Sequence, residues 1–152
     1  MVSVPVRALI VISVVSACAL CQGARIDFSG TWRVISNSKG HDGGLTEIKQ
    51  EETTISLRTI LASGEKTEWI VYPTNGDVTV RKRWGHMATR RSGRWTEDQL
   101  TLETSGEGSA PWRRSTTTQN LSLSGRGTVL KMGFRFKQRE LDYEIVLEKV
   151  SK

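Results

Sequence analysis

The chain has 152 residues, a formal net charge of +6, 25% charged side chains and 37% apolar ones. That mixture is too apolar for a disordered chain and too charged for one embedded in a bilayer. The length fits one globular domain able to bury a core of its own.

The first element is a leader. Arg7 is followed by an almost unbroken apolar run from Ala8 to Ala17, the charged and hydrophobic regions of an export signal, too short to span a bilayer as a finished helix. The expected organisation is a signal peptide over residues 1–23 and a mature domain over 24–152, secreted or periplasmic, with no transmembrane span. Two cleavage patterns compete. Val15-Ser16-Ala17-Cys18 fits a bacterial lipobox and would leave a lipoprotein anchored through Cys18; Cys21-Gln22-Gly23 before Ala24 fits ordinary processing, the reading favoured here. Both cysteines precede Arg25, so the folded body has no thiol for disulfides, nucleophilic catalysis or metal binding.

From residue 31 onward the chain alternates with a period of two. In Leu130-Lys131-Met132-Gly133-Phe134-Arg135-Phe136-Lys137 every even position is apolar, and Leu141, Tyr143, Ile145 and Leu147 repeat the pattern. Ile55, Leu57, Thr59 and Leu61 form another such face, as do Val78 and Val80 with Trp84, and Leu100 with Leu102. Turn signals punctuate these runs at Gly43-Gly44, Ser63-Gly64, Asn75-Gly76, Glu97-Asp98, Gly106 to Pro111 and Gly125-Arg126-Gly127. Strands are predicted near 31–36, 45–51, 54–61, 66–72, 77–84, 86–95, 98–104, 112–124, 127–137 and 139–149, with no helix of ordinary length. Short connections make sequential neighbours antiparallel, and closing the meander removes its edges. The predicted fold is all-β, an antiparallel up-and-down β-barrel of about 8–10 strands.

The stretch Asp27-Phe28-Ser29-Gly30-Thr31-Trp32 carries a family resemblance. It is similar to the Gly-x-Trp opening of lipocalin-like barrels, and the run as a whole resembles secreted bacterial lipocalin-like domains that begin "DFSGTW". The resemblance extends through Ile48-Lys49-Gln50, Pro73 to Gly76, Gly93-Arg94-Trp95 before Leu100-Thr101-Leu102, and Leu121-Ser122-Leu123 before Gly125. It implies a calycin-like barrel in which Trp32 plugs one end while Gly30 lets the backbone pass close beneath. The chain ends within a few residues of a strand, more like the avidin or fatty-acid-binding branch than a typical lipocalin.

Motifs for chemistry are missing. There is no Gly-x-Ser-x-Gly elbow, phosphate-cradling glycine loop or dinucleotide fingerprint. The two histidines, His41 beside Asp42 and His86 near Trp84, lie in separate turn-flanking segments and read as surface groups. The expectation is no enzyme, no metal and no cofactor.

Charge is the stronger signal. Between Arg81 and Arg94 stand six basic residues and no acidic one, and Arg113-Arg114 follow beside Trp112. This reads either as a solvated strand face or as a surface for anionic partners such as lipopolysaccharide, phospholipid or glycan; nucleic acid is the less fitting partner for an exported protein. Strand parity puts Lys82 on the face of Val78, Val80 and Trp84, and Arg113, Ser115, Thr117 and Gln119 on the face of Leu121 and Leu123. If those apolar faces point inward, the barrel interior carries a polar line. A packed core disfavours such a line, and a ligand cavity accommodates it. Lys82, Trp84, Arg113, Thr117 and Gln119 are the candidate ligand-binding residues, with Lys82 and Arg113 for an anionic headgroup as the fatty-acid-binding resemblance implies; a one-residue slip reverses every assignment. The expected function is to bind a small, partly apolar ligand, an anionic one among the options, inside the barrel. The alternative is a non-catalytic interaction domain with a filled barrel and a basic outer face.

Overall fold

A computed structural model of the chain describes residues 25–37, 44–82, 88–107, 115–138 and 140–150, the side chains of Lys82 and Glu107 excepted. Ten strands make up one antiparallel sheet: β1 (Gly30–Asn37), β2 (Leu45–Gln50), β3 (Thr54–Ile60), β4 (Ile70–Pro73), β5 (Thr79–Lys82), β6 (Ala88–Thr96), β7 (Gln99–Glu107), β8 (Ser115–Ser124), β9 (Val129–Phe136) and β10 (Leu141–Lys149). Among the described residues the only helical element is one 3-10 turn at Gly125–Gly127, and no helix is long and apolar enough to cross a membrane.

The strand order is β4-β3-β2-β1-β10-β9-β8-β7-β6-β5. Each strand pairs with its sequence neighbours, β1 pairs with β10, and only β4 and β5 lack a shared ladder. The fold is thus an all-β, nearly closed barrel with a single seam between two consecutive strands.

The period-two pattern sorts side chains to two faces, and cross-strand register aligns the inner ones. Leu100, Leu121 and Met132 stand opposite one another on β7, β8 and β9, and Leu130 and Leu147 on β9 and β10. With Trp32, Ile48, Ile55, Leu57, Tyr72 and Leu102 they make one buried cluster. Ile145 and Phe134 pack against it from β10 and β9.

One end is stopped by the arm before β1. Phe28 is fully buried and stacks on Trp95, whose strand lies on the opposite side of the barrel from β1, so the arm crosses the opening. Gln50, at the end of β2, pins it by accepting from the Phe28 amide and donating to the Ile26 carbonyl, each at 3.0 Å. Trp32 is fully buried directly below, its indole Nε1 donating to the Phe28 carbonyl at 2.9 Å. Gly30 enters the strand at φ +143°, in the region that favours glycine, and a Cβ there would stand 2.8 Å from Lys149 Cε.

The seam is held by contacts outside the ladder. Gly93 on β6 is buried, and a Cβ there would lie 3.1 Å from both the Pro73 carbonyl oxygen and Thr74 Cγ2, so its missing side chain admits the end of β4. The Tyr72 hydroxyl lies 2.9 Å from Thr104 Oγ1 on β7. Near the other end Arg81 on β5 meets Glu68 at 3.5 Å.

Two sequence expectations need correction here. The strand predicted over 66–72 shrinks to Ile70–Pro73, with one isolated bridge between Ile60 and Lys66. At Thr67 the side chain takes a main-chain role: its hydroxyl accepts from the Thr59 amide at 3.0 Å, which breaks the ladder. Secondly, the apolar face of β5 is the outer one. Val78 and Val80 are 53% and 48% exposed, and the inner register belongs to Thr79, paired with Arg91.

Candidate functional site

Beyond the plugged end, the barrel interior widens into a pocket of about 220 Å³. Its apolar wall is built by Val34, Leu57, Met132, Phe134, Ile145 and Leu147, inward positions of β1, β3, β9 and β10. Thr46 and Thr59 face each other on β2 and β3, Ile70 and Tyr72 come from β4, and Gln119 projects from β8. The pocket approaches the surface beside Thr67 and Ile70, the latter still 39% exposed. Seven of the ten strands contribute to its lining, so the closed meander itself creates the cavity.

Gln119 is the polar feature of this pocket. Its strand neighbour Leu121 is fully buried, so the two-residue period points Gln119 inward, opposite Leu102 on β7 and Phe134 on β9. Its Oε1 is buried and has no hydrogen-bond partner among the described residues. Buried polar atoms are nearly always paired, so an orphan facing a cavity marks a place where a further donor fits.

Charge at the pocket is confined to its rim. Arg58 follows Leu57 in sequence but carries the opposite parity, pairs with Glu47 across the ladder, and hydrogen-bonds its carboxylate through Nε. The guanidinium also lies 4.3 Å from the Trp69 ring centre. Lys66 reaches the other Glu47 oxygen at 3.0 Å. The hydrogen bond from Lys66 is the largest influence on the Glu47 carboxyl; burial opposes it, and the hydrogen bond and charge of Arg58 add to it, so the group is held below the usual glutamate range.

Next to the pocket lies a second inward polar group. Arg91 on β6 stands opposite Thr104, and its Nε is buried without a hydrogen-bond partner among the described residues. It does not line the pocket; Thr104, its ladder partner, is bonded to Tyr72, which does. Three aromatic rings stack on the inner face of β9 and β10: Phe134 and Tyr143 at 4.6 Å between centres, and Phe136 and Tyr143 at 5.8 Å. Burial pushes the Tyr143 hydroxyl above its ordinary pKa, which keeps it protonated.

The plugged end carries a different kind of hollow, a wide surface cleft of about 810 Å³ lined by Arg25, Asp27, Gln50, Glu51, Trp95 and Glu97 among others. Two of its carboxylates are engaged locally. Asp27 accepts from the Ser29 amide at 2.8 Å, and hydrogen bonding by Ser29 lowers its pKa; Glu51 meets Lys49 in an exposed ion pair.

The candidate residues separate as follows. Gln119 lines the pocket. Thr117 is half-buried two residues away, opposite Thr104 and Phe136, and does not line it. Trp84 and Arg113 lie outside the described residues, as do His41, His86 and Trp112. Position 82 shares the outer register of Val80, pairing with Ala88 as Val80 pairs with Arg90, which runs against the inward parity expected from the valines. Gly30 and Trp32 sit at the plugged end, away from the pocket. The basic run also divides, for Arg90 and Arg94 are exposed on the outside while Arg91 has the inner register. Sequence reasoning does not mark Tyr72, Thr104 or Arg91 as inward groups near the site. The alternation of Ile70 with Tyr72 is the local signal that marks β4. Among the described residues no group of three or more histidine, cysteine or acidic side chains is placed to hold a metal ion.

Neither a protein-family model nor a curated protein matches this sequence. Solved structures match its fold. A "REP1-NXSQ fatty acid transporter" superimposes with a TM-score of 0.59 at 12% identity, over 83% of this chain and 98% of that one. A secretory abundant heat soluble protein from Ramazzottius varieornatus gives 0.58 at 10% identity, over 80% and 94%. The fatty-acid-binding protein of Manduca sexta gives 0.52 at 8% identity, over 80% and 99%. At these identities the likeness is one of fold, an all-β, antiparallel, nearly closed barrel shared with these proteins.

Proposed function

We propose that this chain is a non-catalytic binding protein that holds a small, partly apolar molecule inside its barrel and works outside the cytoplasm. The observation that carries the reading is the 220 Å³ interior pocket, walled by apolar side chains and facing one unpaired polar atom on Gln119. A few placed polar groups in an apolar concavity are the usual make-up of a small-molecule site. Fold neighbours that include a fatty acid transporter and a fatty-acid-binding protein support it. The apolar leader and the resemblance of Asp27 to Trp32 to secreted bacterial "DFSGTW" domains support the compartment.

Two measurements test this. Native mass spectrometry of gently purified protein, together with tryptophan emission titrated with small amphiphiles, should show a saturable one-to-one complex; no saturable response to any amphiphile would overturn the reading. Intact mass of the exported protein should show a chain starting at Ala24 without lipid. A diacylated species starting at Cys18, lost in Cys18→Ala, would instead make it a lipoprotein.

A second reading is favoured by the outer face of β5 and β6, where Val78 and Val80 are exposed beside Arg90 and Arg94. Apolar and basic side chains together suit contact with an anionic surface such as lipopolysaccharide or phospholipid. Retention on an anionic column that collapses with modest salt supports it, and elution in the void at low salt removes it.

A further inference from the structure

We infer that the barrel pocket selects a neutral headgroup, a hydroxyl or carboxamide on a short apolar body, and that Gln119 is the residue that reads it. This rests on the interior pocket being the binding site.

The charge distribution decides against an ionised headgroup. Of the residues lining the pocket, only Arg58 carries charge, and it has outer-face parity, a bond to Glu47 and the Trp69 ring beside it. A carboxylate drawn in beside Gln119 would shed its water with no counter-charge facing it, which is strongly unfavourable. Arg91 could supply one, but it lies outside the pocket lining, and its ladder partner Thr104 is joined to Tyr72 at 2.9 Å.

The orphan Oε1 of Gln119 gives the positive half of the argument. It is an acceptor with nothing to accept from among the described residues. An ionised carboxylate has no proton to donate, whereas a hydroxyl donates and a primary carboxamide both donates and accepts, matching a glutamine amide end to end. Apart from Arg58, the other polar side chains of the lining, Thr46, Thr59, Thr67 and Tyr72, carry hydroxyls that suit the same chemistry, with that of Tyr72 engaged by Thr104 and that of Thr67 accepting from the Thr59 amide.

Size narrows the body. A pocket of about 220 Å³ lies below the roughly 300 to 1,000 Å³ of pockets for drug-sized ligands. It holds about seven waters at their liquid volume, or about ten non-hydrogen atoms once these are bonded more closely. A C8 alcohol or amide fits that space, and a long-chain lipid exceeds it.

The test compares 1-octanol, octanamide and octanoate at pH 8, where the acid is ionised, by titration calorimetry on the full mature protein. The two neutral ligands should bind about tenfold or more tightly than octanoate, and Gln119→Leu should remove that preference while leaving the thermal transition in place. The ranking on the unaltered protein stands even if the variant folds poorly. Octanoate binding more tightly than octanol, with the advantage lost in Arg91→Met, would overturn the inference and move the headgroup site to Arg91 while keeping the pocket. No saturable binding of any of the three would overturn the pocket reading itself, and this inference with it.

Discussion

Tyr72 on one edge strand and Thr104 on the third strand from the other edge meet at 2.9 Å between their hydroxyl oxygens. No ladder joins β4 to β5, so this bond is one of the few polar links across the seam. Tyr72→Phe keeps the ring and removes the link. It should lower stability by about 0.5 to 1.5 kcal/mol, the net worth of an ordinary hydrogen bond. It should also speed amide exchange in β4 more than in β9. An unchanged urea midpoint with unchanged exchange would show that the seam does not depend on this bond.

The plugged end should be more sensitive. Trp32→Ala empties a fully buried site and strips the Phe28 carbonyl of its indole donor. The expected loss is about 3 to 5 kcal/mol, a large share of the roughly 5 to 15 that a domain of this size has. Urea unfolding followed by far-ultraviolet circular dichroism measures it, and a midpoint that hardly moves would place Trp32 outside the core.

Gly93 and Gly133 make a matched pair. A methyl group at Gly93 meets the backbone oxygen of Pro73 and the side chains of Thr74 and Leu102 at 3.1 to 3.2 Å, whereas one at Gly133 meets nothing within 4 Å. Gly93→Ala should therefore cost about 1 to 3 kcal/mol by forcing β4 off the barrel. Gly133→Ala should be neutral or stabilising by up to about 1 kcal/mol, since it restricts the unfolded chain. Equal effects of the two in thermal melts would refute the close approach at the seam.

Acid should loosen the rim through Glu47. Its carboxyl is held below the usual range by Lys66 and Arg58, so across the window from that range downward the unfolded chain binds more protons than the folded one. Stability from this group is present above the usual glutamate pKa and is lost as pH falls through the folded value. Glu47→Gln should flatten the fall in urea midpoint over that window. A variant whose midpoint falls as steeply as that of the parent would show that other carboxylates govern the acid limb.

The fold was legible because β9 and β10 carry clean two-residue alternation, β8 repeats it at Leu121 and Leu123, and the three pair in register over their length, so one correct face fixed three strands. Gln119 followed from the same parity, through Leu121. Parity failed on β5, a strand of four residues at the sheet edge. There the valines face outward and Thr79 takes the inner register, yet all three are exposed, so side-chain type says little about which face is which. Arg91 was misread with its basic neighbours because a run of charges carries no phase. The Tyr72–Thr104 contact was beyond reach for a different reason. It depends on β4 approaching β6 and β7 across the seam, which the bare Cα of Gly93 permits and no pattern along β4 reveals.

The pairing of β1 with β10 couples the two ends of the folded body in the middle of the sheet, and leaves the seam between strands that follow one another in sequence. A barrel closed by its first and last strands carries a high contact order, which slows folding. Cutting the chain at the exposed Asn75-Gly76 turn and joining residue 150 to residue 25 through a flexible linker would reorder the strands as one continuous meander from β5 round to β4. With a linker long enough to span the opening that the arm crosses, such a circular permutant keeps every ladder, makes the most distant pairing one between sequence neighbours, and should refold faster than the natural connectivity.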